Sequence, residues 1–222
     1  MGEKHSFIDL MRHIFIDIIG SKKKSFLIIY LCILVIDKLN YMIFSSFAIT
    51  ISYFVLSVIF NILLVYFYLS RDDHLPLDDL KKAATESFFV ALKIATINIL
   101  ILFIICTPLI GFFSQGNLIT YSKGLSFILI ILLILGGIFM VSTTSFSIIH
   151  SIVEHTGVRL SFKNGIDTTK NSFRLILKIV ISFILLAIPA STEPFIMGFL
   201  SLILQLSFIS IAINSIKKRN AH

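Results

Sequence analysis

The side chains best suited to chemistry lie close together in the chain, at His150, Glu154 and His155. His150 and Glu154 are four residues apart and therefore share one face of a helix. An imidazole and a carboxylate at that spacing can begin a metal site or an acid–base pair. His155 lies about 100° around the helix from Glu154, so a third aligned ligand is missing. We therefore interpret the group as a polar cluster at the end of a membrane span, with no metal site predicted.

A second aligned set occurs near the N-terminus, where Asp9, His13 and Asp17 recur every four residues. We interpret it as the water-facing side of an amphipathic helix. The chain has no glycine-rich nucleotide loop, no nucleophile elbow and no Cys-x-x-Cys motif. Its two cysteines, Cys32 and Cys106, lie within apolar runs and are predicted to be small buried hydrophobes. The sequence therefore predicts a protein that is not an enzyme and that binds no cofactor.

The elements that carry these residues have the composition of a membrane protein. Hydrophobic residues make up 57% of the 222 residues and charged residues only 14%, whereas soluble domains contain about 45–50% apolar and about 25% charged residues. The mean hydropathy of +0.98 excludes intrinsic disorder, which requires low hydrophobicity and high charge. We assign the formal charge of +7 to basic residues that flank membrane spans, so no nucleic-acid partner is predicted.

Six apolar runs are long enough, alone or with the segment before them, to cross a bilayer, which takes about 20 residues. They are Ser25–Ile36, Tyr41–Ser70, Ile94–Phe113, Leu125–Val153, Ile179–Ala190 and Phe195–Ile216. The polar residues 37–40 are predicted to form the turn between the first two runs. Only helices satisfy their own backbone hydrogen bonds in lipid. The predicted fold is therefore all-α, a polytopic membrane protein in which residues 1–222 form one integral membrane domain with six transmembrane helices.

The distribution of Lys and Arg orients these spans. Six spans place both termini and the two long loops on one side, which holds 17 of the 19 basic residues. Only Lys38 and Lys123 fall on the other side. Because basic residues concentrate on the cytoplasmic side of a membrane, both termini are predicted to be cytoplasmic.

Three cytoplasmic segments have apolar residues at helical spacing and are predicted to be interfacial amphipathic elbow helices. Their stripes are Phe7, Met11, Ile14 and Ile18, then Leu77, Leu80, Ala84, Phe88 and Ala91, and finally Phe162, Ile166, Thr169, Phe173 and Ile176. Each elbow precedes a short span, an outer turn and a longer span. This order predicts a threefold repeat of helical hairpins at residues 5–70, 77–153 and 161–216. In the best alignment, 87–94 against 172–179, five of eight positions are identical.

One stretch carries a family resemblance, mainly within residues 150–180. It reads Ile152-Val153-Glu154-His155-Thr156-Gly157-Val158 and continues through an amphipathic segment to Asn171-Ser172-Phe173-Arg174. It resembles the YciC-like bacterial inner-membrane proteins and, equally, the membrane domain attached to some glycerophosphodiester phosphodiesterases. The resemblance implies six spans with interfacial elbows, the bacterial cytoplasmic membrane and a role in envelope or lipid homeostasis. It supplies no catalytic residues, and no segment here is long enough for the soluble phosphodiesterase barrel.

The basic residues on the cytoplasmic side are the predicted partners of anionic membrane lipids. Each Lys or Arg near such a surface contributes about 1 kcal/mol to binding. The residues predicted to contact lipid headgroups are Lys22, Lys23, Lys24, Lys81, Lys82, Lys163, Lys170, Arg174, Lys217, Lys218 and Arg219.

Polar residues within the spans leave two functions open. They are Asn61, Asn98, Gln205 and Asn214, with the run Ser142-Thr143-Thr144-Ser145. They can form hydrogen bonds between helices or line a polar path for a substrate. The first interpretation fits a non-enzymatic inner-membrane protein in lipid or envelope organisation, or a subunit of a membrane complex. The second fits a transporter or channel for a small or lipid-like substrate.

Overall fold

The computed structural model describes residues 6–40, 47–70, 85–101, 123–190 and 193–221. Helices dominate these ranges, and none of the described residues forms a strand, so the predicted all-α class is confirmed. The helices are α1 (Phe7–Arg12), continued by a π-helical segment (His13–Ile19), α2 (Lys23–Asn40), α3 (Phe47–Leu69), α4 (residues 85–101), α5 (Lys123–Val153), α6 (Val158–Ala190) and α7 (Pro194–Asn220).

Among the described residues, three helical stretches are long and apolar enough to cross a membrane. They are Ile131–Val153 in α5, Val158–Pro189 in α6 and Phe195–Asn220 in α7. A shorter apolar stretch, Val55–Leu69, lies in α3. These lengths and compositions are those of membrane-spanning helices. Of the predicted third span, the part beyond residue 101 lies outside the described residues.

Helix α6 joins the predicted elbow to the short apolar run that follows it, as expected for a run that is too short to cross a bilayer without the segment before it. The amphipathic segment and the apolar run Ile179–Ala190 form one uninterrupted helix of 33 residues, about 50 Å long at 1.5 Å per residue. No proline occurs in α6 before Pro189, so nothing in the local sequence ends the helix where the composition changes from polar to apolar.

Helix α2 continues through the predicted turn at residues 37–40. It ends at Asn40, and α3 begins at Phe47. Lys and Leu are good helix formers, and Asp and Asn are only moderately unfavourable, so this short polar stretch does not end the helix by itself.

Helix α7 lies at the centre of the described bundle. It contacts α2, α3, α5, α6 and the N-terminal segment, and its residues 206–213 are all buried. Phe208 meets Phe146 of α5 edge to face, with 5.5 Å between ring centroids. Ile14 and Ile18 of the predicted N-terminal stripe are also buried, which fixes that segment against the bundle.

Helices α5 and α6 share the most extensive interface among the described helices and form an antiparallel hairpin. Only four residues join them, and His155 there has a φ of 51°, the left-handed conformation that commonly follows a helix C-terminus. A Cβ atom at Gly165 would lie 2.7 Å from the carbonyl oxygen of Thr143. The two backbones can therefore approach this closely only because Gly165 has no side chain.

Candidate functional site

A cavity of about 630 Å³ opens between α6 and α7, beside Leu10 of α1. Its walls carry four basic side chains and one carboxylate. The basic ones are Lys163, Lys170, Lys218 and Arg219, and the carboxylate is Asp167.

Helical spacing explains why these residues meet. Lys163, Asp167 and Lys170 are separated by four and three residues and therefore lie on one face of α6. Lys218 and Arg219 come from the last turn of α7, where the helix dipole favours positive charge. All five are exposed, so their charged groups reach water. A concave surface with this excess of positive charge attracts anions.

Glu154 lies behind the cavity wall and is held by three donors. The Oε2 atom of Glu154 lies 2.9 Å from Nδ1 of His150 and 3.1 Å from the amide nitrogen of Asn164. Its Oε1 atom accepts from the guanidinium group of Arg219. The Glu154 side chain is only 14% exposed. These three contacts fix the position of Arg219, which lies in the last turn of α7.

A chain of buried polar groups continues from Glu154 across the bundle. The fully buried His150 places Nε2 3.0 Å from the hydroxyl of Thr168, which lies 3.1 Å from the hydroxyl of Ser215. Because an ionised Glu154 only accepts, we assign the proton of His150 to Nδ1. Nε2 then accepts from Thr168, and Ser215 donates to Thr168. The chain thus joins α5, α6 and α7.

Four of the residues predicted to contact lipid headgroups line the cavity. They are Lys163, Lys170, Lys218 and Arg219. The remaining ones are dispersed. Lys23, Lys24, Arg174 and Lys217 are exposed away from the cavity, and Lys81 and Lys82 lie outside the described residues.

Lys22 departs from the prediction that it contacts lipid headgroups, because it is only 3% exposed. Its Nζ atom donates to the carbonyl oxygens of Phe67, at 2.7 Å, and Tyr68, at 3.1 Å. These carbonyls belong to the last turn of α3, where no backbone N–H of the helix is available to them. The hydroxyl of Ser70 also donates to the carbonyl oxygen of Phe67, at 2.8 Å. Burial lowers the pKa of the Lys22 ammonium group. Lys22 therefore caps α3 and is left out of the headgroup set.

The predicted intramembrane polar residues occupy different environments. Asn61 donates to the carbonyl oxygen of Ser57 within α3, at 2.8 Å. Asn98 and Gln205 each have a buried side-chain oxygen with no hydrogen-bond partner among the described residues. Asn214 lines the cavity. The structure therefore does not bring these four residues into one seam.

Hydroxyl groups of α5 mostly bond back to their own helix. Thr144 donates to Met140 and Ser145 to Val141, both at 3.0 Å. Thr143 instead reaches Thr169 of α6, at 3.1 Å. Such bonds satisfy hydroxyls inside an apolar helix and hold neighbouring helices together.

A second polar cluster docks the N-terminal segment. His13 lies 2.7 Å from Asp17 through Nδ1 and 3.0 Å from the hydroxyl of Tyr68 through Nε2. Tyr68 in turn donates to Ser210 of α7, at 3.0 Å. Asp9, which aligns with His13 in the sequence, bonds instead to Ser6 in a capping box at the start of α1. The aligned set is therefore divided between a helix cap and a contact between helices.

The polar cluster predicted around His150 is also divided. His155 turns away and lies 3.6 Å from Glu86 of α4. Within the described part of the chain, no three His, Cys, Asp or Glu side chains are grouped so that they could hold a metal ion. Sequence reasoning missed Thr168 and Ser215, because no spacing rule connects residues on different helices.

Comparison of the chain with protein-family models, with curated proteins and with solved structures finds no match. The functional assignment therefore depends on the chemistry of the residues described above.

Proposed function

We propose that this protein is a non-enzymatic, multi-pass protein of the bacterial cytoplasmic membrane that binds anionic phospholipids at its cytoplasmic face. It would act in lipid or envelope organisation, alone or as a subunit of a membrane complex. The observation that carries the proposal is the cavity between α6 and α7, lined by four basic side chains and one carboxylate. The resemblance of residues 150–180 to the YciC-like proteins agrees with this role.

The proposed topology has six spans with both termini in the cytoplasm. Helices α2 and α3 would supply the first two spans, α4 would begin the third, and α5, α6 and α7 would supply the rest. The cavity lies where α5 ends, α6 begins and α7 ends, which three antiparallel spans bring to one membrane face. That face carries most of the basic residues, as expected on the cytoplasmic side.

The threefold repeat is part of the proposal, and burial at aligned positions supports the relation between its second and third copies. Ile94 and its counterpart Ile179 are both buried. Lys93 and its counterpart Lys178 are both exposed. Each lysine would extend its ammonium group to the inner headgroups from the same point of its repeat.

Charge explains why the cavity would select anionic lipids. Counting Asp167, the charged lining residues sum to a net charge of +3, from four positive and one negative side chain. Near a membrane, each basic residue contributes about 1 kcal/mol of attraction to an anionic surface. Arg219 adds a planar guanidinium group that can bind two phosphate oxygens at once. A zwitterionic lipid gains much less from this field.

The test measures lipid binding by purified protein in nanodiscs of phosphatidylcholine with and without phosphatidylglycerol. Charge reversal of the cavity residues, Lys163→Glu, Lys170→Glu and Lys218→Glu, should weaken binding to phosphatidylglycerol at least about tenfold. The matched control reverses three exposed residues outside the cavity on the same two helices, Arg174→Glu, Lys178→Glu and Lys217→Glu.

The control has the same change in net charge, so a smaller loss of binding supports the cavity as the site. Equal losses in the two triple variants would show that diffuse charge alone binds lipid. A wild-type protein with no preference for phosphatidylglycerol over phosphatidylcholine would overturn the proposal.

A further inference from the structure

The cavity offers two kinds of surface to a ligand, positive charge and hydrogen-bond acceptors. Its volume of about 630 Å³ falls within the range of small-molecule sites, about 300–1,000 Å³, which is more than a phosphate group alone requires. The part of a ligand beyond its phosphate must therefore meet the remaining lining groups.

Arg219 is prepared to bind a phosphate. One oxygen of Glu154 accepts from the guanidinium group of Arg219. The other oxygen of Glu154 accepts from His150 and Asn164. A guanidinium group has five N–H donors, of which one carboxylate oxygen uses at most two. The rest remain for the cavity, and a side chain that is already fixed loses less conformational entropy when it binds.

Asp167, unlike Arg219, disfavours a phosphate group and favours hydroxyl groups. It lies between Lys163 and Lys170 on the cavity face of α6, and no hydrogen bond or ion pair joins it to another described residue. Its carboxylate repels a bare phosphate but accepts hydrogen bonds from hydroxyl groups. Ser215 adds a second acceptor, because its own proton is directed to Thr168 and its lone pairs remain for a ligand.

We propose that the cavity binds a polyol phosphate, a phosphate ester with free hydroxyl groups, such as the glycerol phosphate headgroup of a lipid. Arg219 and Lys218 hold the phosphate, while Asp167 and Ser215 accept from the hydroxyls. The net charge of +3 disfavours a headgroup that carries an ammonium group. This inference rests on the proposed function and adds the chemistry of the ligand to it.

The test compares two lipids with the same phosphodiester charge in phosphatidylcholine nanodiscs. Phosphatidylglycerol has two headgroup hydroxyls, whereas phosphatidylmethanol has none. At equal mole fraction, the wild-type protein should bind phosphatidylglycerol about three- to tenfold more tightly, the effect of one or two hydrogen bonds. Equal binding of the two lipids, each above phosphatidylcholine, would rule out recognition of lipid-headgroup hydroxyls and leave the proposed function standing.

Asp167→Asn provides the decisive variant. It removes the charge that repels the phosphate of both lipids and replaces the hydroxyl acceptor with a weaker one. Binding of phosphatidylmethanol should therefore rise, and the preference for phosphatidylglycerol should shrink. A misfolded variant would lose binding of both lipids, so misfolding can be distinguished from loss of the hydroxyl acceptor. Glu193→Gln, which removes an exposed carboxylate before α7, should leave the preference unchanged. A preference that survives Asp167→Asn intact would overturn the role of this carboxylate.

A polyol phosphate can also be a small soluble molecule. A second experiment therefore distinguishes a lipid headgroup from a soluble phosphate ester. Lipid-depleted protein in detergent is titrated with glycerol 3-phosphate and with methyl phosphate. Preferential binding of glycerol 3-phosphate at an affinity matching that of phosphatidylglycerol would identify a soluble ester as the ligand. A preference seen only with the two lipids would identify a headgroup. Absence of any hydroxyl preference in both arms would overturn the inference.

Discussion

The imidazole of His150 lies 3.0 Å from the hydroxyl of Thr168, across the interface between α5 and α6. This contact connects a fully buried side chain of one candidate span with a residue that lines the cavity. Since His150 also meets Glu154, which holds Arg219, the shape of the cavity depends on a buried group that does not itself line the cavity.

His150→Leu should lower the free energy of unfolding by about 2–3 kcal/mol. The variant leaves the buried hydroxyl of Thr168 without its acceptor and removes one donor from Glu154. The measurement is thermal unfolding in detergent micelles. His155→Asn is the control, because His155 is exposed and Asn tolerates its left-handed backbone. If both variants unfold at the same temperature, the buried network adds nothing to stability.

Gly165→Ala should destabilise the α5–α6 hairpin by about 1–3 kcal/mol. The added methyl group meets backbone atoms of α5 that cannot move without separating the helices. Gly136→Ala in α5 is the control, since a Cβ there meets nothing within 4 Å. It should be neutral or stabilising by up to about 1 kcal/mol, because Ala favours helix more than Gly. The same unfolding assay would contradict the close approach if Gly165→Ala were the milder change.

Lys22→Met should cost about 1–3 kcal/mol of stability. The substitution keeps most of the apolar stem but removes the charged donor from the carbonyls of Phe67 and Tyr68 at the end of α3. Lys23→Met changes the same residue type one position later, where the side chain is exposed, and should stay within about 0.5 kcal/mol of wild type. Similar melting temperatures for the two variants would refute the capping role.

The contact between His13 and Tyr68 should appear as a coupling in a double-mutant cycle. The variants are His13→Ala, Tyr68→Phe and their combination. The two side chains are 3.0 Å apart, so we expect a coupling free energy of about 0.5–1.5 kcal/mol. Hydrogen exchange of residues 7–19 should speed up in each single variant. Additive effects on unfolding, within about 0.3 kcal/mol, would mean that this contact does not dock the segment.

The sequence predicts those features that depend on local spacing. The four-residue interval of His150 and Glu154 correctly indicates their pairing, and the parts of the apolar runs that the structure describes are helical, as predicted. The basic residues that line the cavity are also among those predicted from charge alone. Lys22 could not be separated from its neighbours Lys23 and Lys24, because only the folded chain places it against the end of α3.

Helix α6 shows why the rest could not be predicted. The sequence predicts that Phe162 and Ile166 face the acyl boundary of the membrane and that Asn164 lies on the polar face of the helix. Phe162 and Ile166 are half-buried, whereas Asn164 and Thr168 are buried. In water an amphipathic helix buries its apolar side. Where lipid surrounds a protein, apolar side chains can face outward and polar ones form contacts between helices. Periodicity finds the two faces of such a helix but does not say which one points inward.

Helix α6 has no break along its 33 residues, so its two ends are mechanically connected. The same unbroken rod carries Lys163 and Lys170 near one end and Pro189 at the other. Because no break separates the two ends, a change in the tilt of α6 at its charged end also moves the end that carries Pro189.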